Sequence, residues 1–187
     1  CKVSDMQQFV KELHDKDIYV IGRVTVFQDP LYSKTHPELA VKKSSNTSVV
    51  WKDRKGLSFI DVGARPFWDY IIKIATSSHA IGFDEINFDY IRFPSDGDMK
   101  DIAYTHTGTK TKKEMLRQFF EYLDTKMQNE GITTSADLFG MTTTNTDDLN
   151  IGQVLEYALL NFDYVAPMVY PSHYPPNFNG WKDPNKA

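Results

Sequence analysis

The 187-residue sequence predicts an α/β fold of the (β/α)8 barrel type, of which about four βα units are present. Three observations point there. Helical and strand patterns alternate strictly along the chain, which argues for parallel strands joined by helical crossovers. The stretch Gly82-Phe83-Asp84-Glu85-Ile86-Asn87-Phe88-Asp89-Tyr90-Ile91-Arg92-Phe93-Pro94-Ser95-Asp96-Gly97 reads as a strand and its loop, with acids where a strand should be apolar. Polar side chains also recur at the C-terminal end of every strand: Asp29 after the first, Asp89 and Arg92 after the second, Asp137 on the third, Tyr170 and His173 after the fourth. That is where a barrel carries its chemistry. An open parallel sheet also satisfies the alternation.

The elements follow in order. Ser4 is placed to cap a first helix, in which Met6, Phe9, Val10 and Leu13 fall at helical spacing. Residues 18–27 are an almost unbroken β-branched run, as suits a parallel strand buried on both faces. A loop of about 35 residues comes next, longer than ordinary connections and so a candidate for function. It holds Asp29-Pro30, His36-Pro37, Trp51 and Asp61. Pro66 fits the first turn of a second helix, with Phe67, Tyr70, Ile71, Ile74 and Ala75 on one side. In the acidic strand, Phe83, Glu85, Asn87 and Asp89 share one face, and Ile86, Phe88 and Tyr90 the other. The second face wants a helix. The first sets two carboxylates and an amide in line, which is costly to bury without partners. A third helix, about residues 111–130, carries the stripe Met115, Phe119, Tyr122, Leu123 and Met127 and stops at Gly131. Residues 132–140 form the next strand, 151–160 a short helix, and 163–170 the last strand, which runs into the aromatic, proline-rich stretch 171–176.

At 41% hydrophobic and 13% aromatic residues, the chain can bury a core and is not a disordered segment. A net charge of −4 lacks the basic face of a nucleic-acid binder, and Lys110, Lys112 and Lys113 read as a solvated helix end. The single cysteine, Cys1, excludes a disulfide framework, a zinc-finger spacing or a thiol pair within the chain. No apolar run approaches a membrane span. Neither standard nucleotide fingerprint, GxGxxG or GxxxxGK[ST], is present, and no cofactor is expected. Asn46-Thr47-Ser48 fits an N-glycosylation acceptor, which matters only in a eukaryotic secretory setting. The expected setting is instead extracellular, or the cell envelope of a bacterium.

Asp89 and Asp137 are the candidate catalytic pair. They stand at equivalent heights on successive strands about 4.8 Å apart, so their carboxyls can flank one bond. Glycoside hydrolysis needs such a pair: one carboxyl protonates the leaving oxygen, and the other attacks the anomeric carbon or activates a water. Glu85 and Asn87 lie deeper on the same face, and Arg23 has the parity to be the ion-pair partner of Glu85. Arg92 is placed to hold a substrate or to orient Asp89. Tyr90, Tyr170, Tyr174, Trp51 and Trp181 are candidate sugar platforms, and His173 a hydrogen-bond donor. The expected substrate-binding set is therefore Arg23, Glu85, Asn87, Tyr90, Arg92, Tyr170 and His173. Asp89, Asp137 and His173 also read as metal ligands, but no HExxH or comparable spacing accompanies them, and no metal is expected.

Residues 82–97 resemble the signature of a largely uncharacterised, mainly bacterial family assigned to the glycoside hydrolases and related to the α-amylase-type barrels. Residues 19–30, 135–140 and 166–174 resemble the same family in order and spacing, so the likeness covers most of the chain. It implies a partial (β/α)8 catalytic domain over residues 1–187, holding about the third to the sixth strand, with the N- and C-terminal barrel units absent. It implies an enzyme acting on a carbohydrate, with Asp89 as nucleophile or base and Asp137 as acid. Amylases use Glu for the acid, and their Gly-x-Arg-x-Asp pattern is not reproduced here. A degenerate, non-catalytic sugar-binding barrel is the alternative. Half a barrel would leave strand edges open for association with other chains or segments.

Overall fold

A computed structural model describes residues 3–186. Helix α1 spans Met6–His14 and is capped by Asp5, not Ser4: the Asp5 side chain accepts from Gln8 N at 2.9 Å. Strand β1 is shorter than the apolar run, Ile21–Thr25. Ahead of it Asp84 holds Val20 twice: its backbone N–H donates to Val20 O at 2.9 Å, and its Oδ2 accepts from Val20 N at 2.7 Å.

The long connection is not a plain loop. Asp29 caps a short helix, α2 (Pro30–Thr35), by accepting from Leu31 N and Tyr32 N. Isolated bridges Ala40↔Ile60, Lys42↔Val50 and Lys52↔Ser58 then fold the segment onto the core. Asp61 is fully buried and accepts from Gly63 N, His106 N and the Thr107 hydroxyl at 3.0, 2.7 and 2.6 Å. It ties this segment to the loop after the second strand. A Cβ on Gly63 would lie 2.4 Å from the His106 backbone, so only glycine allows that approach.

Helix α3 (Arg65–Ala80) buries Phe67, Trp68, Ile71 and Ala75 and leads into strand β2 (Glu85–Asp89). Helix α4 (Lys112–Asn129) starts at a complete capping box of Thr111 and Glu114, and Gly131 beyond its end has φ 65°. Strand β3 is Thr133–Phe139. Helix α5 is shorter than its pattern, Leu155–Leu159, because Leu149, Asn150 and Gly152 take positive φ and turn the chain first. Strand β4 is Tyr164–Met168.

The four strands form one parallel sheet in the order β1-β2-β3-β4. Each strand lies beside its predecessor. Right-handed crossovers between such neighbours place the connecting helices on one face of the sheet. Val24, Ile86, Phe88, Ala136 and Leu138 form that face and pack with Phe67, Trp68, Phe119, Phe120 and Leu123 of α3 and α4. The other face carries Ile21, Arg23 and Thr25, then Glu85, Asn87 and Asp89, then Ser135 and Asp137, then Tyr164 and Ala166. Ile21 and Tyr164 at its two sides are 49% and 61% exposed. The expectation that the first strand is buried on both faces therefore fails: its exposure alternates residue by residue.

Candidate active site

The acids stand where the strand pattern puts them. Asp89 is the last residue of β2 and only 3% exposed. One step past the pair Phe88↔Ala136, Asp89 and Asp137 are neighbours on the helix-free face. Arg23 joins them. Its Nη2 is ion-paired with Asp89 Oδ2, and its Nε lies 3.5 Å from Asp137 Oδ2. Two carboxylates that share one guanidinium lie within roughly 8 Å of each other, since each contact is about 3 Å. The Arg23 side chain is 60% exposed, so this cation sits at the solvent side of the pair. Asp89 Oδ1 also accepts from Tyr90 N at 2.6 Å.

Arg23 is not the partner of Glu85, as parity suggests. Glu85 is held by hydroxyls instead: Tyr19 donates to Oε2 at 3.2 Å and Ser135 donates to Oε1. Asn87 Nδ2 donates to Ser135 Oγ at 3.0 Å and to Asp137 Oδ1 at 3.2 Å. The Tyr19 hydroxyl has a raised pKa, first through its desolvation and then through the Glu85 charge. Five predicted residues, Arg23, Glu85, Asn87, Asp89 and Asp137, thus belong to one polar network.

The other predicted residues form a rim after the strands. Tyr90 has φ 52°, which is strained for an aromatic residue, and it turns the chain away from the strand course directly after Asp89. Arg92 is buried and does not reach Asp89: it donates to Phe93 O at 3.0 Å, and among the described residues it has no ion pair within 4.0 Å. Its guanidinium carbon lies 4.9, 5.3 and 5.9 Å from the rings of Phe139, Tyr90 and Phe59. Burial lowers its pKa, against the opposing pull of Tyr90, Asp96 and Asp53. Phe139 lies parallel to His173 at 5.8 Å, and Tyr170 meets His173 edge-on at 5.0 Å. Tyr170 is 56% exposed. Trp51 is a core residue, 1% exposed, with its indole N–H on Asp98 O at 2.9 Å. Trp181 remains exposed.

Besides Tyr19 and Ser135 of the polar network, Phe139 and Gln153 escape a reading of the sequence. Phe139 links Arg92 to His173, and its parity with Asp137 is the available signal. Gln153 is fully buried beneath the site: its Oε1 accepts from Phe139 N at 2.9 Å, and its amide lies 3.4 Å from Asp137 O. Nothing in the local pattern marks it. A cleft of about 430 Å³ lies near the N-terminal ends of the strands, lined by α1 and Gly82, and includes none of the candidate residues. Among the described residues no helix is long and apolar enough to cross a membrane, and no three His, Cys, Asp or Glu side chains group as metal ligands do.

Comparison with known proteins bears on this geometry. Residues 1–187 match a family profile described as "Putative glycosyl hydrolase domain". A hypothetical protein from Ruminiclostridium thermocellum ATCC 27405 is 36% identical, with a TM-score of 0.62 over 78% of this chain and 66% of that one. A variant of the glycoside hydrolase domain of PelA from Pseudomonas aeruginosa is 14% identical, with a TM-score of 0.53 over 86% of this chain and 55% of that one. Ega3 from Aspergillus fumigatus, solved in complex with galactosamine, is 10% identical, with a TM-score of 0.56 over 85% of this chain and 54% of that one. The two distant likenesses show the fold alone, a mixed α/β architecture with a parallel sheet. The chain spans about half to two thirds of the length of these three structures. No curated protein is similar to it.

Proposed function

The chain belongs to the family described as putative glycosyl hydrolase domains, and from that premise we propose that it cleaves glycosidic bonds of a polysaccharide or oligosaccharide by a two-carboxylate mechanism. The observation that carries the reading is the single guanidinium of Arg23 on both Asp89 and Asp137. Two carboxyls so placed at neighbouring strand ends can act on opposite sides of one glycosidic bond. Asp89 is the nucleophile or base, held by Tyr90 N and Arg23. Asp137 is the acid. Tyr90, Arg92, Tyr170 and His173 line the rim along which the sugar lies. On this reading the four strands stand as about the third to the sixth of an eight-stranded barrel.

Turnover of a panel of aryl glycosides and oligosaccharides tests the reading. Asp89→Asn should lose at least about 10³-fold in kcat, and Asp137→Asn about 10² to 10⁴-fold, with sugar binding retained in both. Wild-type rates in Asp89→Asn would sink it. One observation favours a second reading, a sugar-binding domain without catalysis: both acids have the same cation, Arg23, as partner. A protein that binds oligosaccharides equally well with and without Asp137 and hydrolyses none of them is that binding domain.

A further inference from the structure

We infer that Glu85, Ser135 and Asn87 form a one-way hydrogen-bond chain that determines which oxygen of Asp137 carries the acid proton, namely Oδ2, the oxygen on the side of Arg23. The inference rests on the reading of Asp137 as general acid.

The direction of the chain follows from counting protons. Both oxygens of Glu85 accept, one from the Tyr19 hydroxyl at 3.2 Å and one from the Ser135 hydroxyl. A serine hydroxyl has a single proton to give, and that of Ser135 goes to Glu85. The 3.0 Å contact between Asn87 Nδ2 and Ser135 Oγ therefore runs from the amide. That fixes the orientation of the Asn87 amide, which heavy-atom positions alone do not distinguish. The second hydrogen of the same nitrogen points at Asp137 Oδ1, 3.2 Å away. With Oδ1 occupied as an acceptor, a proton on Asp137 sits on Oδ2. Oδ2 lies 3.5 Å from Arg23 Nε. Arg23 is largely solvent-exposed and also ion-paired with Asp89, so it can yield that side of Asp137 and keep its bond to Asp89.

The acid step then balances. The Oδ2 proton passes to the glycosidic oxygen as the bond from that oxygen to the anomeric carbon breaks, and the bonding pair leaves with the oxygen. The anomeric carbon takes Asp89, or a water that gives its proton to Asp89. Asp137 is left as a carboxylate, stabilised by Asn87 on Oδ1 and by Arg23 on Oδ2. Glu85, Ser135 and Asn87 touch no reacting atom. They are positioning residues, and Glu85 and Asn87 serve Asp137 in this role, not the sugar.

The test uses Ser135→Ala, which cuts the chain, Ser135→Thr, which keeps the hydroxyl, and Glu85→Gln, which can offer an amide to Ser135 and reverse the direction. Two quantities are measured: kcat and KM on the glycoside that the wild type turns over best, and hydrogen exchange of the Asn87 side-chain amide by NMR. Ser135→Ala and Glu85→Gln should lower kcat about 10- to 100-fold, the range expected for orphaning one buried partner, with KM within about twofold. Ser135→Thr should recover most of the loss, and the Asn87 amide should exchange faster in Ser135→Ala than in the wild type. Unchanged kcat in both Ser135→Ala and Glu85→Gln overturns the inference. Should Ser135→Ala fail to fold, the kcat of Glu85→Gln decides alone: a drop sustains the chain and no change overturns it. If the wild type hydrolyses no glycoside, the hydrolase reading fails by itself and the amide decides: exchange slowed in the wild type and released in Ser135→Ala sustains the chain, and equal exchange overturns it.

Discussion

Trp51 and Asp84 show how a side chain's surroundings decide its role. Trp51 stands in an aromatic, polar stretch that reads as a sugar platform, yet its indole is sealed in the core beside Phe59, with ring centres 6.4 Å apart. Trp51→Ala should therefore cost about 3–5 kcal/mol of stability in denaturant unfolding and leave the affinity for any sugar of the folded protein unchanged. Asp84 accepts from Val20 N at 2.7 Å and lies 2.9 Å from His14 Nε2. Its pKa is lowered, first by the Val20 hydrogen bond, with desolvation opposing and His14 adding to the fall. A depressed carboxylate contributes stability that is present above its unfolded pKa and lost as pH falls through the folded one. Thermal melts of Asp84→Asn should run below those of the wild type at neutral pH, and the gap should close below about pH 4, the ordinary carboxylate range. A gap that persists under acid would contradict this account. The period-two pattern places Glu85, Asn87 and Asp89 on one face of a strand, and that much of the site is legible in the sequence. The partner of Glu85 is not, because parity says which residues share a face and not which of them touch. Arg92 escapes for a similar reason: its position after Asp89 is close in sequence, but the positive φ of Tyr90 turns the chain between them.

At the scale of elements, local chemistry is readable where it is strong. The capping box at Thr111 and the glycine at 131 bound α4 to within a residue of its sequence pattern. Thr111 is bonded both to Glu114 N at 3.3 Å and to the Glu114 side chain at 2.6 Å. Thr111→Ala should lower the unfolding free energy by about 1 kcal/mol, checked by urea denaturation, with Thr111→Ser close to the wild type. Helix α2 lies hidden in the long connection, since six residues carry too little periodicity to be seen. Its Asp29 reads in the sequence as a polar group at a strand end, and it is a helix cap. Strand β1 and helix α5 are shorter than their apolar runs. For α5 backbone geometry, not composition, delays the element: Leu149, Asn150 and Gly152 ahead of it take positive φ.

At the scale of the molecule, the order β1-β2-β3-β4 is the decisive feature. A doubly wound sheet reverses its strand order at a switch point and has helices on both faces. Here the order never reverses, so one face holds the apolar packing of α3 and α4 and the other holds the acids. Alternation of helix and strand is legible in the sequence, but strand order is not, because alternation is common to both kinds of sheet. The acids on a single strand face are the hint that favours the barrel. The same winding explains why Asp89 and Asp137, 48 residues apart in the chain, meet at one guanidinium. The most direct test of the central claim is a crystal structure of the Asp89→Asn variant with a bound oligosaccharide. One glycosidic oxygen should lie between residue 89 and Asp137, with their side-chain oxygens about 5 to 9.5 Å apart across it and Arg23 withdrawn from Asp137. A sugar bound elsewhere, with Arg23 still bridging residue 89 and Asp137, would contradict it.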